Sequence, residues 1–460
     1  MKFDIKLPED VLEIMSVIKE YGSISYVVGG CVRDSLLGKE THDWDICTPV
    51  PVSELAVMFE EKGYKVIPTG LKHGTITVHL NGENYEITTF RRDGEYSDGR
   101  HPDIVEFTSN LIEDLSRRDF TINAMAYNPD EGLIDPFDGI DDIDYRIIRC
   151  VGAPRERLKE DGLRILRAIR FAALLKFKID WFTCNAMINN IHMIDKVSAE
   201  RINSEFCKII SNASEHRGRM LMATCWDILC RIIPEIKLSF GFPQNNPYHK
   251  YTVYGHIVDA LSKCESNDLI TRLAIFFHDI GKPYCYQDDQ DGTRHFKGHA
   301  KVGADMTDSI MRRLRFDNKT RENVVQLIFY HDSTIEPTKK SVRRWLNKIG
   351  KEQFVRLLEI RRCDILGQNP GYAEERLNKL NEIKKVFDCV QEEKLCFSLK
   401  DLTIDGKDVM QYMLMGECKA VGYWLNVILK KVMNGELNNN REDLISWMTS
   451  VTDGLIEFKE

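Results

Sequence analysis

The chain has 460 residues and a formal net charge of −8. Cores rarely grow beyond roughly 250–300 residues, so several domains are expected. Hydrophobic residues at 43% and charged residues at 29% are an ordinary globular balance, and no stretch approaches the roughly 20 apolar residues that cross a bilayer. No membrane partner is therefore expected. The first residues carry Asp4, Glu9 and Asp10 without an unbroken apolar core, which argues against a signal or transit peptide. The thirteen cysteines are scattered, with no CxxC pair, as in a reducing compartment, so the expected localisation is cytoplasmic.

In chain order, residues 9–21 have helical spacing of apolar positions, and YVVGG at 26–30 reads as a buried strand entering a glycine turn. DWDICT (43–48), GTITVHL (74–80) and NYEITTF (84–90) read as further strands. From about residue 155 the pattern is helical to the end, and RERLKEDGLRILRAIRFAALL is the strongest single helical run. The expected fold is α+β: a small head with a mixed sheet and helices, then an all-α neck, body and tail. The boundaries are placed at 1–150 for the head, 151–215 for the neck, 216–390 for the body and 391–460 for the tail.

Asp43 and Asp45 lie two apart on a predicted strand, so both carboxylates face one way. That pattern is open to a solvated strand or to a Mg²⁺ site, since Mg²⁺ takes hard oxygen ligands and leaves room for phosphates. Upstream, Gly29-Gly30 follows a strand and Arg33-Asp34 opens a helix. Glycines let backbone N–H groups approach phosphate, and Arg33 adds a bidentate donor. A strand, GG, VRD, LLG and DxD within about twenty residues is far more specific than any one part.

YVVGGCVRDSLLGKETHDWDICT resembles the signature motif of the polymerase-beta-type nucleotidyltransferases that include class II tRNA nucleotidyltransferases (CCA-adding enzymes) and bacterial poly(A) polymerases. RRDFTINAMAY (117–127) resembles that family's ribose-recognition motif, DPFDG (135–139) its hinge, EDGLRILRAIRFAA (160–173) its base-reading motif and AERINSEF (199–206) the neck helix that follows. The resemblance implies Asp43 and Asp45 as ligands of Mg²⁺, and Gly30 and Arg33 at the triphosphate. It also implies Arg118, Asp119 and Asn123 at the ribose. Glu86, on the strand NYEITTFR, is read either as a third catalytic carboxylate or as an outward charge on a half-exposed strand. Residues 90–107, with Asp93, Gly94, Asp98 and Gly99, look like the family's flexible loop. Its presence favours CCA or terminal-A addition over CC addition.

Glu160, Asp161 and Arg164 suggest how a base is chosen without a template. On a continuous helix Asp161 and Arg164 are surface neighbours. An acceptor beside a donor matches the amino group and ring nitrogen shared by cytosine and adenine, and mismatches uracil and guanine by about 1–3 kcal/mol per buried group. The alternative is an ordinary i,i+3 salt bridge. Arg167 and Arg170 drift around the helix among Ile165, Leu166, Ile169 and Phe171, so some of these arginines should be enclosed and need anionic partners, triphosphate among them. The expected partners are CTP, ATP and tRNA. The expected function is addition of CCA to tRNA 3′ ends, with terminal-A addition or poly(A) synthesis as the nearest alternative.

His256, His278-Asp279 and Asp364 read as the HD metal-hydrolase pattern, with His299 and His331 in extra ligand positions and Lys282 placed for a substrate phosphate. Imidazole with carboxylate suits a divalent transition metal as well as Mg²⁺. The resemblance implies a phosphohydrolase or cyclic phosphodiesterase activity, either working or a relic that supports the fold. An HD phosphohydrolase with a nucleotide-sensing head, or a non-catalytic RNA-binding protein, are the readings from other classes, and intact DxD and EDxxR motifs speak against the first. Residues 301–362 hold fifteen Lys or Arg against eight Asp or Glu, which fits a solvated helix face or an RNA contact. The tail resembles that of Gram-positive-type CCA-adding enzymes, with Lys407, Lys430, Lys431 and Arg441 either as phosphate contacts or as surface charge.

Overall fold

The computed structural model describes residues 4–94, 104–213, 225–392, 399–433 and 436–457. The chain divides into two compact units, Met1–Pro234 with Arg313–Phe316, and Glu235–Arg312 with Asp317–Glu460. The first is α+β and the second almost wholly helical, as the sequence patterns predict.

The first unit begins with α1 (Glu9–Glu20), whose buried Val11, Ile14, Met15 and Ile18 repeat at helical spacing. The head then runs β1 (Tyr26–Val28), α2 (Gly30–Leu36), β2 (Ile46–Thr48), α3 (Val52–Glu61), β3 (Lys65–Gly70), β4 (Thr75–Leu80), β5 (Glu83–Thr89), β6 (Arg91–Asp93), β7 (Val105–Phe107), α4 (Leu111–Ser116), β8 (Ala126–Asn128), β9 (Gly132–Ile134) and α5 (Gly139–Asp144). Seven strands form one mixed sheet in the order β3-β4-β5-β2-β1-β8-β9. Every neighbouring pair in it is antiparallel except β2–β5. A core of Tyr26, Val28, Cys47, Phe90, Leu115 and Ala126 joins β1, β2 and β8 to α4.

Two sequence expectations need correction, and a third falls partly outside the described residues. The strand holding DWDICT starts at Ile46, so Asp43 and Asp45 lie in the segment entering it, although the Val28 N–H still reaches the Asp45 carbonyl at 3.0 Å. The ends of the supposed flexible loop pair as β6 and β7, with Arg91 opposite Phe107; Asp98 and Gly99 lie outside the described residues. The long arginine helix is two helices, α6 (Pro154–Glu160) and α7 (Leu163–Leu175). Asp161 between them is extended (φ −145°, ψ 111°). A side chain at Gly162 would put its Cβ 2.3 Å from the Met193 carbonyl oxygen, so this close approach needs glycine.

The neck continues through the parallel pair β10 (Ile147–Ile148) and β11 (Lys178–Ile179), then α8 (Trp181–Asn189) and α9 (Ala199–Asn212), which packs on α7. In the second unit, helices Val253–Ser262, Leu269–Phe277, His299–Arg313, Asn318–Tyr330 and Lys351–Leu366 form the body. The last helices bury their own cluster, including Val409, Ile428, Leu444 and Met448. Among the described residues no helix is long and apolar enough to cross a membrane.

Candidate active site in the head and candidate metal centre in the body

β1 gives way to Gly29, whose φ of +84° would strain any other residue and whose Cβ would crowd Arg118 Nη1 at 3.0 Å. The Gly29 N–H donates to the Met125 carbonyl at 3.2 Å, tying the glycine turn to RRDFTINAMAY, and Gly30 starts α2. Parallel pairing of Ile46 with Ile87 sets Asp45 beside Glu86. Asp43 and Glu86 are exposed and Asp45 is half-buried. Burial first, then the charges of Asp43 and Glu86, push the Asp45 carboxyl up to about 6, against the pull of Arg118. The three head carboxylates share one electrostatic neighbourhood. They are not among the side-chain trios whose ligand atoms lie within 4.8 Å of one another in the described residues.

Arg33, Arg118, Arg164, Arg167 and Arg170 each hold a carboxylate. Arg33 is 5% exposed. It holds Asp34 through Nε at 3.0 Å and Nη2 at 2.7 Å, and donates through Nη1 to Asn123 Oδ1. Asn123 Nδ2 donates to Asp119 Oδ1 at 3.0 Å, and Arg167 closes on Asp119 Oδ2 at 2.8 and 2.6 Å. Burial opposes ionisation of Asp119, but Arg167 and the Asn123 bond outweigh it and lower its carboxyl to about 2. Arg170 pairs with the buried Glu205 of α9 at 2.8 Å. The enclosed arginines thus have their anionic partners within the protein itself.

Asp161 and Arg164 are brought near each other but not paired. Asp161 accepts from Arg201 Nη2 at 2.7 Å and from the Leu163 N–H at 2.9 Å. Arg164 bonds Glu160 and the carbonyls of Arg157 (2.9 Å) and Arg117 (3.1 Å). Asp161 is extended, so the two side chains do not pair, although the Arg164 N–H donates to the Asp161 carbonyl at 3.0 Å. Arg201 and Glu205 escaped the sequence reading, and their i,i+4 spacing on an amphipathic helix carries no signal of its own. DPFDG works as a helix start: Asp135 accepts from the N–H groups of Gly139 (2.8 Å) and Ile140 (2.9 Å).

In the body, all six predicted ligands converge. His256 Nε2 lies 3.0 Å from Asp364 Oδ1, 3.2 Å from His278 Nε2 and 3.4 Å from Asp279 Oδ2. His299 Nε2 lies 3.1 Å from His331 Nε2 and 3.5 Å from Asp279 Oδ1. Asp279 therefore stands between two histidine pairs, with Lys282 Nζ on it at 2.7 Å. Each ring's Nδ1 meets a backbone carbonyl: His256 with Gly367 (3.1 Å), His278 with Ile275 (2.7 Å), His299 with Phe296 (2.8 Å) and His331 with Ile328 (2.6 Å). A carbonyl only accepts, so each Nδ1 carries a proton and each Nε2 lone pair faces inward. Facing lone pairs at such distances need a positive charge between or on them. Burial opposes a proton on His278, but Asp279 and Asp364 raise it to about 10, whereas burial and its histidine neighbours drop His331 to about 3.

A cavity of about 890 Å³ opens on this centre, lined by Lys297, Arg376, Tyr248 and Tyr372 among others. Its wall includes His249, a residue the sequence pattern missed, whose ring sits 5.1 Å from that of His256. Of the basic residues at 301–362, Arg312 and Arg321 bind Asp308, Arg356 binds Asp268 and Glu352, and Arg362 binds Glu359. Those four arginines are thus committed to ion pairs on the body helices. In the tail, Arg441 is paired with Asp408.

Residues 25–149 match the model of the poly A polymerase head domain. Residues 176–238 match a probable RNA and SrmB-binding site of polymerase A, and 298–448 a putative tRNA nucleotidyltransferase domain 2. A CCA-adding enzyme of Pediococcus pentosaceus is 45% identical over 216 residues, covering 47% of this chain and 54% of that protein. One from Lactobacillus gasseri is 48% identical over 198 residues, 43% of this chain and 49% of that protein. The chain thus spans about half the length of the curated relatives it matches. The crystal structure of the Bacillus stearothermophilus CCA-adding enzyme in complex with CTP superposes with a TM-score of 0.70 at 24% identity, over 98% of both chains. The Thermotoga maritima CCA-adding enzyme complexed with tRNA gives 0.59 at 21% identity, over 97% of this chain and 96% of that one. At these identities the likeness is one of fold.

Proposed function

We propose, from the premise that the head of this chain belongs to the poly A polymerase head-domain family, that the protein adds CCA to the 3′ end of tRNA from CTP and ATP, in the cytoplasm. The observation that carries the reading is the wiring of the DxD segment to the arginine helix. Arg118 acts on Asp45 from one side, and Arg33, Asn123, Asp119 and Arg167 run in an unbroken series from the glycine turn to α7. The division into head (1–150), neck (151–215), body (216–390) and tail (391–460) is part of the same proposal.

Asp43, Asp45 and Glu86 form a hard-oxygen donor set, with Asp45 raised by burial first and then by the charges of the other two, which a bound cation would relieve. Mg²⁺ held by these residues would lower the pKa of the tRNA 3′-hydroxyl and neutralise charge at the α-phosphate and pyrophosphate. The protein supplies the rest. The glycine turn admits the triphosphate, and Arg33 offers it guanidinium charge. Arg118, Asp119 and Asn123 face the ribose. Asp161 and Arg164 read the base, which requires Asp161 to leave Arg201 and Arg164 to leave Glu160 as the nucleotide enters. The 3′-hydroxyl gives up its proton to water, and its oxygen bonds to the α-phosphorus as the bond to pyrophosphate breaks, with no covalent enzyme intermediate.

The body supports a second activity, metal-dependent phosphohydrolysis, carried by the four Nε2 lone pairs that converge on Asp279. His256, His278, Asp279 and Asp364 would hold one divalent transition metal ion, and Asp279, His299 and His331 another, with Lys282 facing a substrate phosphate. Incubating tRNA that lacks its terminal CCA with CTP alone, ATP alone and both tests the main reading. Two cytidines from CTP alone, nothing from ATP alone and CCA from both support it. A lone adenosine or an adenosine tract from ATP alone moves it to a terminal-A-adding enzyme or a poly(A) polymerase.

A further inference from the structure

Phe171 of α7 has an unusual environment. Its ring centroid lies 4.2 Å from the guanidinium carbon of Arg170, 5.0 Å from that of Arg33 and 5.4 Å from that of Arg167. Phe120 meets the same ring edge-on at 5.8 Å, and Phe171 is only 4% exposed. Three guanidiniums from two segments of the first unit thus gather on one aromatic side chain. Arg33 comes from the glycine turn, and Arg167 and Arg170 from the base-reading helix. Each also holds a carboxylate: Asp34 at 2.7 Å, Asp119 at 2.6 Å and Glu205 at 2.8 Å. Like charges so close repel, and Arg33 and Arg167 both act to lower the charge affinity of Arg170, after burial.

Arg33 and Arg167 are also linked through Asn123 and Asp119, and Arg167 and Arg170 share one helix, but those polar links must open before the arginines can reach a ligand. The ring offers a contact that need not open with them. Its negative face attracts each cation without offering a hydrogen-bond acceptor, so the donors stay free to change partners. We infer that Phe171 is a positioning residue for nucleotide binding, an aromatic pivot that keeps Arg33, Arg167 and Arg170 gathered while their carboxylates yield them to an incoming triphosphate. This inference rests on the nucleotidyl-transfer reading. It adds that the reach of these arginines is set by a side chain with no polar atom and no contact with substrate.

The test replaces Phe171 with phenylalanines bearing one, two and three ring fluorines, a series that weakens the negative face of the ring at nearly constant shape, alongside Phe171→Leu. The KM for CTP and for ATP should rise stepwise with fluorine number, reaching about tenfold, with kcat changed less than about twofold. Phe171→Tyr should restore most of the loss seen in Phe171→Leu. The thermal midpoint should stay nearly constant along the fluorine series, and the comparison stands on that series even where Phe171→Leu folds poorly. A KM flat along the series, with only Phe171→Leu impaired, would make Phe171 a packing residue and overturn the inference. Failure of the unmodified protein to incorporate CTP or ATP would instead overturn the reading on which it rests.

Discussion

The two centres of this chain are built in opposite ways. In the body, ring and carboxylate atoms from several helices converge within hydrogen-bonding distance, and every histidine is locked by a carbonyl behind it. In the head, Asp43 and Glu86 are exposed and Asp45 half-buried, while the surrounding arginines hold Asp34, Asp119, Glu160 and Glu205. The donors of the body centre are already gathered, as the proposed transition-metal site requires. The proposed nucleotide site of the head is instead closed by internal ion pairs that a nucleotide would have to open. Such a design fits a site that accepts two different bases in succession, since the binding energy of the correct one can drive the exchange of partners.

The comparison breaks most sharply at the carboxylates. Replacing Asp43 or Asp45 by alanine should lower nucleotide incorporation by about 10³-fold or more, the scale of charge stabilisation that metal-ion catalysis supplies. The measurement is single-turnover extension of end-trimmed tRNA. An equally stable variant with ordinary turnover would remove Asp43 or Asp45 from the chemistry.

The unsubstituted protein should retain the divalent metal proposed for the body through dialysis and His278→Ala should not, as measured by elemental analysis. Nucleotide addition should stay within about twofold of the unsubstituted protein. Asp161→Ala and Arg164→Ala should relax discrimination against UTP and GTP by about 10–100-fold, the cost of one mismatched buried polar group. Competition between CTP and UTP in one reaction measures it, and unchanged selectivity in both variants would leave base choice to other residues.

The smallest expected effect is on stability. Asp119 has a carboxyl lowered to about 2 in the folded chain, below its value in the unfolded one. Its ionisation therefore stabilises the fold above about pH 4, and that contribution is lost as pH falls towards 2. Asp119→Asn should cost about 2 kcal/mol at neutral pH, and the difference from the parent should shrink as denaturant melts are repeated towards pH 3.

Much of this was legible in local sequence. The head strands were visible because Val, Ile and Thr cluster between turn residues, and the glycine turn because Gly29 and Gly30 precede a VRD helix start. The body ligands were legible because His-Asp at the end of an apolar helix is rarely accidental. What was hidden depends on distant partners. The break at Asp161 comes beside the close approach of Gly162 to the Met193 carbonyl, a contact that no helical pattern encodes. The engagement of Arg167 with Asp119 and of Arg170 with Glu205 spans long stretches of chain, so triphosphate was expected where the protein supplies its own acids. His249 sits in an irregular segment with no periodicity to mark it.

The most direct measurement is extension of end-trimmed tRNA by the His278→Ala variant with and without divalent metal. With the body centre disabled, addition of CCA should stop on chelation and return with Mg²⁺ alone, because the metal that matters is held at Asp43 and Asp45. Extension that persists in chelator, or a variant that cannot extend tRNA at all, would contradict a head that works as an independent metal-dependent catalytic centre.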